Sequence, residues 1–220
     1  MFGIVLIAMG AVFMVRADFG VSMVVAPAYL LYRWLSPANS FVTYGMTGYC
    51  FEGLLLIVMV LLIRHFQLSY LFSFVTALIY GFVLDRFMIL GAMLPAAFLW
   101  QRLLYYAAGV VLCAAGVSAM FHTYLAPEVY ELFVKECSRH FHININQFKT
   151  GYDCVSCLIG VIMSFMIFGM WHFVGVNWGT ILCALVNGTL IGKFSEFFEK
   201  HLSFYDRFGW RKYFETKTQA

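Results

Sequence analysis

The chain has 220 residues, 63% of them hydrophobic and only 11% charged, with a mean hydropathy of +0.84 and a formal net charge of +3. Soluble globular domains carry about 25% charged residues, so this composition excludes a water-soluble domain and predicts an integral membrane protein whose first partner is the lipid bilayer. The small positive charge forms no basic stripe and no nucleic-acid motif is present, which excludes nucleic acid as a partner.

The N-terminus runs directly into the apolar stretch Phe2–Val15 without a basic leader or a small-residue cleavage pattern, so no removable signal peptide is expected. A membrane-crossing helix needs about 20 mainly apolar residues, and six runs qualify, at about 2–19, 42–63, 68–86, 102–122, 152–172 and 175–193. The first is short for a crossing. Ala26–Leu35 and Ala126–Val134 start near Ala-Pro and mix apolar with charged residues. They read as short amphipathic or partly re-entrant helices, since proline suits a helix start. The pair Asp85-Arg86 interrupts an apolar stretch that continues to Trp100, and Pro95 favours ending the third crossing at that pair, with an interfacial segment beyond. Leu103–Phe121 is the clearest crossing, with no charge along it. After 193, Phe194, Phe197, Phe198, His201, Tyr205 and Phe208 recur at three- or four-residue spacing among Lys, Arg and Glu. That pattern predicts an interfacial helix on an anionic inner leaflet.

Basic residues orient the chain. Of the 14 Lys and Arg, Arg16, Arg33, Arg86 and Arg102 fall on one side and the other ten on the opposite side, which predicts both termini in the cytoplasm.

The second half repeats the first, weakly but in order. Ala26-Pro27 matches Ala126-Pro127, Thr47-Gly48-Tyr49 matches Thr150-Gly151-Tyr152, and His65-Phe66, Ala77-Leu78, Gly81 and Phe87 match His172-Phe173, Ala184-Leu185, Gly188 and Phe194. An odd number of crossings per copy forces the second copy to enter the membrane inverted, an arrangement found in secondary transporters whose substrate sites lie between the copies.

Glu52 is the sharpest chemical signal. It stands near the middle of the second crossing, where an ionised carboxylate costs about 2.5–3.5 kcal/mol even on a lenient insertion scale. Such a group needs a partner, a proton or a hydrated cavity, which suits a proton-coupling carboxyl; its bland alternative is a protonated packing residue. Arg16 and Asp18 close the first crossing, either as snorkelling interfacial charges or as the wall of an outward vestibule. Asn177, Thr180 and Asn187 in the last crossing, Thr150 and Asp153 at the start of the fifth, and Thr47 in the first copy complete the polar set. Each alone would serve helix packing at about 0.6 kcal/mol; converging between the copies they would suit a small polar or zwitterionic solute. Glycine pairs such as Gly45/Gly48, Gly109/Gly116 and Gly175/Gly179 read as close helix packing.

Gly20-Val21-Ser22 after the first crossing, Gly81 with Asp85 closing the third, and Val174-Gly175-Val176-Asn177-Trp178-Gly179-Thr180 with Ala184-Leu185 and Gly188 in the last resemble the motifs of the YczE/YitT-type bacterial integral membrane proteins, over about residues 8–195. Met23 stands where that family usually has proline, and Cys183 and Thr189 where it often has asparagine and proline. The resemblance implies a multi-pass protein of the bacterial inner membrane, of a family sometimes suspected of transport.

The six cysteines are scattered through apolar stretches and do not form a secreted disulfide framework. Cys154-Val155-Ser156-Cys157 admits a thiol oxidoreductase or, with His140 and His142, a metal site, but no second cysteine pair relays electrons. No phosphate loop, nucleophile elbow or HExxH is present, so no catalytic residue, metal or cofactor is assigned and enzyme function has no positive support.

The expectation is a single all-α membrane domain over 1–220: six transmembrane helices as two inverted three-helix repeats, about 2–98 and 102–200, with short amphipathic segments and an interfacial tail over 194–220. Its expected function is secondary transport of a small polar solute by alternating access, proton-coupled through Glu52, with the site between Glu52, Arg16 and the Asn177/Thr180/Asn187 face. The alternatives are the substrate-binding subunit of an ATP-energised vitamin importer and a non-transporting scaffold or regulator. A coupling subunit or a second copy of the chain stays open as a partner.

Overall fold

The computed structural model describes residues 2–122, 128–169 and 175–201, and among these every regular element is a helix. In chain order they are α1 (Phe2–Ala17), α2 (Ala26–Leu35), α3 (Tyr44–Ile63), α4 (Ser69–Ala92), α5 (Leu99–Phe121), α6 (Val129–His140), α7 (Ile145–Phe168) and α8 (Trp178–His201). Five of them, α3, α4, α5, α7 and α8, are long and apolar enough to cross a membrane. Their outer faces carry large exposed aliphatic side chains, such as Leu54, Ile57 and Leu61 on α3. Apolar surface of this extent is stable only against lipid or another protein.

α1, expected as a full crossing, has 16 residues. At 1.5 Å per residue it spans about 24 Å, short of the ~30 Å hydrocarbon core. It is also the centre of the bundle, with Ile4, Ala8, Val12, Met14 and Ala17 almost wholly buried. α1 and α5 cross where glycines meet: a Cβ on Gly10 would lie 2.7 Å from the Gly109 carbonyl oxygen and one on Gly109 2.8 Å from that of Gly10, with Gly3 and Gly116 facing each other in the same way. As residue numbers rise along α1 they fall along α5, so the two helices run antiparallel with their backbones in contact.

α1 packs also on α4, and α5 on α8; α2 packs on α3 and α7, and α6 on α7 and α3. α3 and α4 lie together through Gly45 and Gly81, each too close to the other's carbonyl oxygen to leave room for a side chain.

The Asp85-Arg86 pair does not end the third crossing. α4 runs through it to Ala92, because the Asp85 carboxylate accepts from the Gly45 N–H at 2.7 Å and the Thr43 hydroxyl at 2.7 Å, while the Arg86 guanidinium lies 4.9 Å from the Phe82 ring centroid. A charge with partners of this kind has no need to leave the helix. The helix stops before Pro95, so the interfacial segment expected from residue 87 gives way to an extra turn and a half of α4.

α2 covers the expected Ala26–Leu35, with Pro27 in its first turn. α6 starts at Val129 and reaches His140, beyond the expected Val134. α8 runs unbroken to His201, so residues 194–201 extend this helix and do not start a separate interfacial one. His122, after α5, ties that extension down through Glu199 at 3.2 Å and Ser195 at 3.3 Å. Ala126-Pro127, His172-Phe173, Val174 and the tail beyond His201, including Tyr205 and Phe208, lie outside the described residues.

Candidate functional site

The short helices α2 and α6 do not fill the space between the long ones, and a cavity of ≈ 380 Å³ remains. Its walls come from α1, the 21–25 segment, α4, α5, α6, α7 and α8; Glu128, Glu131, Lys149, Thr150, Asp153 and Asn187 line it, and Ser22, Tyr80 and Tyr130 add hydroxyls. A volume of this size falls in the range of small-ligand sites. A second space of ≈ 30 Å³, enough for one water, shares Val24, Val25, Tyr80, Glu128 and Tyr130 with the first and adds Glu52, Tyr44 and Tyr152.

Glu52, from the middle of α3, points to the start of α6, where the Val129 N–H hydrogen-bonds its carboxyl. A helix N-terminus offers unpaired N–H groups and a favourable dipole for such an acceptor. The other carboxyl oxygen, Oε2, is buried with no hydrogen-bond partner, and so are Glu128 Oε1, Tyr44 Oη and Asn187 Oδ1. Asp153 accepts from the Tyr130 hydroxyl at 3.3 Å. The Lys149 ammonium lies 5.9 Å from the Tyr130 ring centroid. The site therefore gathers four carboxyls and one amine.

Burial pushes the Glu128 carboxyl above the usual range. It raises Glu131 from 4.5 to about 8; the nearby Glu128 adds to this and Lys149 works against it. Both groups hold protons in the folded state that the unfolded chain releases. The stability they contribute is fully present below about pH 4.5 and is lost as pH rises through about 8. The thermal midpoint of the purified protein should fall across that window, and a Glu128→Gln, Glu131→Gln double variant should show a flatter profile. A wild-type midpoint that rises from pH 5 to 8.5 would contradict this.

The other expected residues are distributed as follows. Thr150 and Asn187 line the cavity with Asp153. Arg16 does not join Glu52. It lies on a separate, open cleft of ≈ 440 Å³ with Asp18, Arg33 and Arg102, and its guanidinium donates to the Leu94 carbonyl beyond α4. Asp18, at φ 57°, pairs with Arg102 at 3.2 Å, while Arg102 Nε donates to the Ala17 carbonyl at 2.7 Å and closes the end of α1.

Asn177 and Thr180 stand outside the cavity walls and build a clamp at the start of α8. Asn177 Oδ1 accepts from the Trp178 N–H at 2.8 Å, and Thr180 Oγ1 donates to the Val21 carbonyl at 2.8 Å. The Val21 N–H reaches the Gly175 carbonyl at 2.9 Å, and the Gly179 N–H the Phe19 carbonyl at 3.0 Å. Gly20 sits in this clamp at φ 108°, where a side chain would be strained and would meet Thr180. The Gly20-Val21-Ser22 and Gly175–Thr180 motifs are thus two sides of one contact. Thr47 is buried and donates within its own helix to the Tyr44 carbonyl at 2.9 Å. The six cysteines are free thiols.

The sequence does not single out Glu128, Glu131 and Lys149: the two glutamates read as the charged residues of the short amphipathic segment 126–134, and Lys149 as one of the basic residues that orient the chain. The signal was the departure from the repeat: Ala126-Pro127-Glu128-Val129-Tyr130-Glu131 places carboxylates where Ala26-Pro27-Ala28-Tyr29-Leu30-Leu31 has apolar side chains.

Long apolar helices around an acidic internal cavity mark this chain as a multi-pass membrane protein. Residues 1–196 match the model of a family of unknown function (DUF6198), and the chain belongs to that family. No curated protein and no solved structure matches it.

Proposed function

We propose that the protein is a secondary transporter of a small polar solute, built from two inverted copies that each contribute three crossings and one short helix, with α1 as a tightly packed sixth crossing. Kinship with the YczE/YitT-type proteins is part of this reading, as is an inner-membrane location with both termini cytoplasmic. The inverted arrangement is supported by the packing itself. Exchange of α1–α4 for α5–α8 turns the α1/α4 contact into α5/α8, α2/α3 into α6/α7 and α3/α6 into α7/α2, while the antiparallel pair α1/α5 maps onto itself; the α3/α4 and α4/α6 contacts have no counterpart of similar extent among the described residues.

The observation that carries the functional reading is the position of the carboxyls. Glu52 from the first copy and Glu128 from the second meet at an internal cavity that both copies wall. A buried site at such a boundary is what alternating access needs, and movement of one copy on the other would turn it from one side to the other. Buried carboxyls that exchange protons as the site opens would couple the solute to the proton gradient.

Proteoliposomes containing the purified protein and an internal pH dye test this directly. A panel of small amines, amino acids, polyols and carboxylates is added outside. At least one class should drive proton movement through the wild type, with Glu52→Gln reducing it at least tenfold. Solute flux that ignores both the imposed pH gradient and Glu52→Gln, or no flux from any member of the panel, would overturn the reading.

A further inference from the structure

Four carboxyls and one amine line two adjoining spaces of this site. Glu128, Glu131 and Asp153 line the main cavity with Lys149, and Glu52 lines the small chamber that shares the Glu128 wall. The unpaired atoms in the two spaces include Glu52 Oε2, Glu128 Oε1 and Asn187 Oδ1; the amide oxygen is an acceptor, and so is each carboxyl oxygen once a cation has displaced the proton. Tyr44, only 2% exposed, adds a hydroxyl that also finds no partner and lines the chamber with the two glutamates. Buried acceptors without donors are costly unless something supplies the missing hydrogens.

We propose that the cavity binds a small organic cation carrying N–H donors, a protonated amine or a guanidinium, with its charged end between Glu128 and Asp153 and within reach of Glu52. The proposal rests on the transport reading and names its substrate class. Three features select this chemistry. A carboxyl that gives up its proton pairs with a cation and with neither a neutral nor an anionic solute, so a cation binds here with release of the proton that burial keeps on Glu128. The unpaired acceptors call for N–H groups, which a tetraalkylammonium ion lacks. Tyr130 lines both spaces, and its ring already holds the Lys149 ammonium 5.9 Å from its centroid, so an aromatic partner for a cation stands at the site. Among the described residues no three Asp, Glu, His or Cys side chains are arranged to hold a metal ion.

Binding to the purified full-length protein in detergent, followed by thermal shift and calorimetry, tests the proposal with five probes of similar size: butylammonium, propylguanidinium, tetramethylammonium, butyrate and butyramide. Butylammonium and propylguanidinium should stabilise the protein, with tetramethylammonium at least tenfold weaker and butyrate and butyramide without effect. Glu128→Gln and Asp153→Asn, which keep the side-chain shape, should each weaken the two N–H cations at least tenfold while leaving the ligand-free midpoint within a few degrees of wild type. A variant whose ligand-free midpoint collapses is replaced by Asn187→Ala, for which at least a threefold loss is expected. Equal or tighter binding of butyramide or butyrate would overturn the cation assignment and leave transport standing. Failure of both N–H cations to bind would also overturn it, and the flux of other solutes in proteoliposomes would then decide the transport reading separately.

Discussion

Gly109→Val should lower the thermal midpoint of the purified protein by roughly 5–10 °C, the effect of about 2–3 kcal/mol in a chain of this size. A Cβ at this position would lie 2.8 Å from both the Gly10 carbonyl oxygen and Met14 Cγ, and 3.0 Å from the Met14 nitrogen. Two of these three neighbours are backbone atoms of α1 and cannot rotate away. The helices would have to separate, opening gaps beside the reciprocal Gly3/Gly116 contact. Because lipid tails are as apolar as the helix surfaces, close van der Waals contact is a main force holding membrane helices together, and the loss is felt directly. Gly192→Ala is the control. Beyond its own helix backbone no described atom lies within 4 Å of the added methyl, and alanine in a helix should stabilise it by about 0.5–1 kcal/mol. Equal midpoints for Gly109→Val and wild type would show that α1 and α5 do not touch through these glycines.

Asp85→Ala should cost about 2–4 kcal/mol. The carboxylate accepts from the Gly45 N–H and from the Thr43 hydroxyl, both at 2.7 Å, at the first turn of α3. Hydrogen bonds to a charged group contribute about 1.5–3 kcal/mol each and do not add fully, and a negative charge at a helix N-terminus contributes about 0.3–1 kcal/mol more. Alanine would leave the Gly45 N–H without its partner beside the tight Gly45/Gly81 crossing. Asp85→Asn keeps an acceptor oxygen and the shape, so it should recover about half of the loss. If alanine and asparagine lower the thermal midpoint equally, the charge and not the hydrogen bonding carries the effect.

These two sites show what a sequence pattern conveys. Gly109 and Gly116 stand seven apart on an apolar helix, which marks a packing face; the partner helix was not legible, because Gly3 and Gly10 look the same and nothing local says which glycines meet. Asp85 reads in the sequence as a charge in an apolar run and so as the end of a helix. Its partners lie 40 residues or more away in the chain, so only the fold could show that the charge is satisfied inside α4. Glu52 was legible for the opposite reason: a carboxyl in the middle of a long apolar run has no local explanation. Its neighbours Glu128 and Glu131 escaped notice because charges in a short segment between crossings are ordinary. Thr180 reads as a polar group of the last helix and lies in its first turn, while Asn177 stands one residue before that helix; the structure uses the two to hold the Val21 backbone and the start of α8.

Hydrophobicity and helix length are properties of contiguous residues, so the sequence by itself determined that this is a membrane-type helical protein, where its long helices lie and which buried acid is anomalous. Which helices touch, which charges face one another and where space is left between them depend on residues far apart in the chain. The meeting of Glu52 with the start of α6, and the separation of Arg16 from it, were therefore decided by tertiary packing alone.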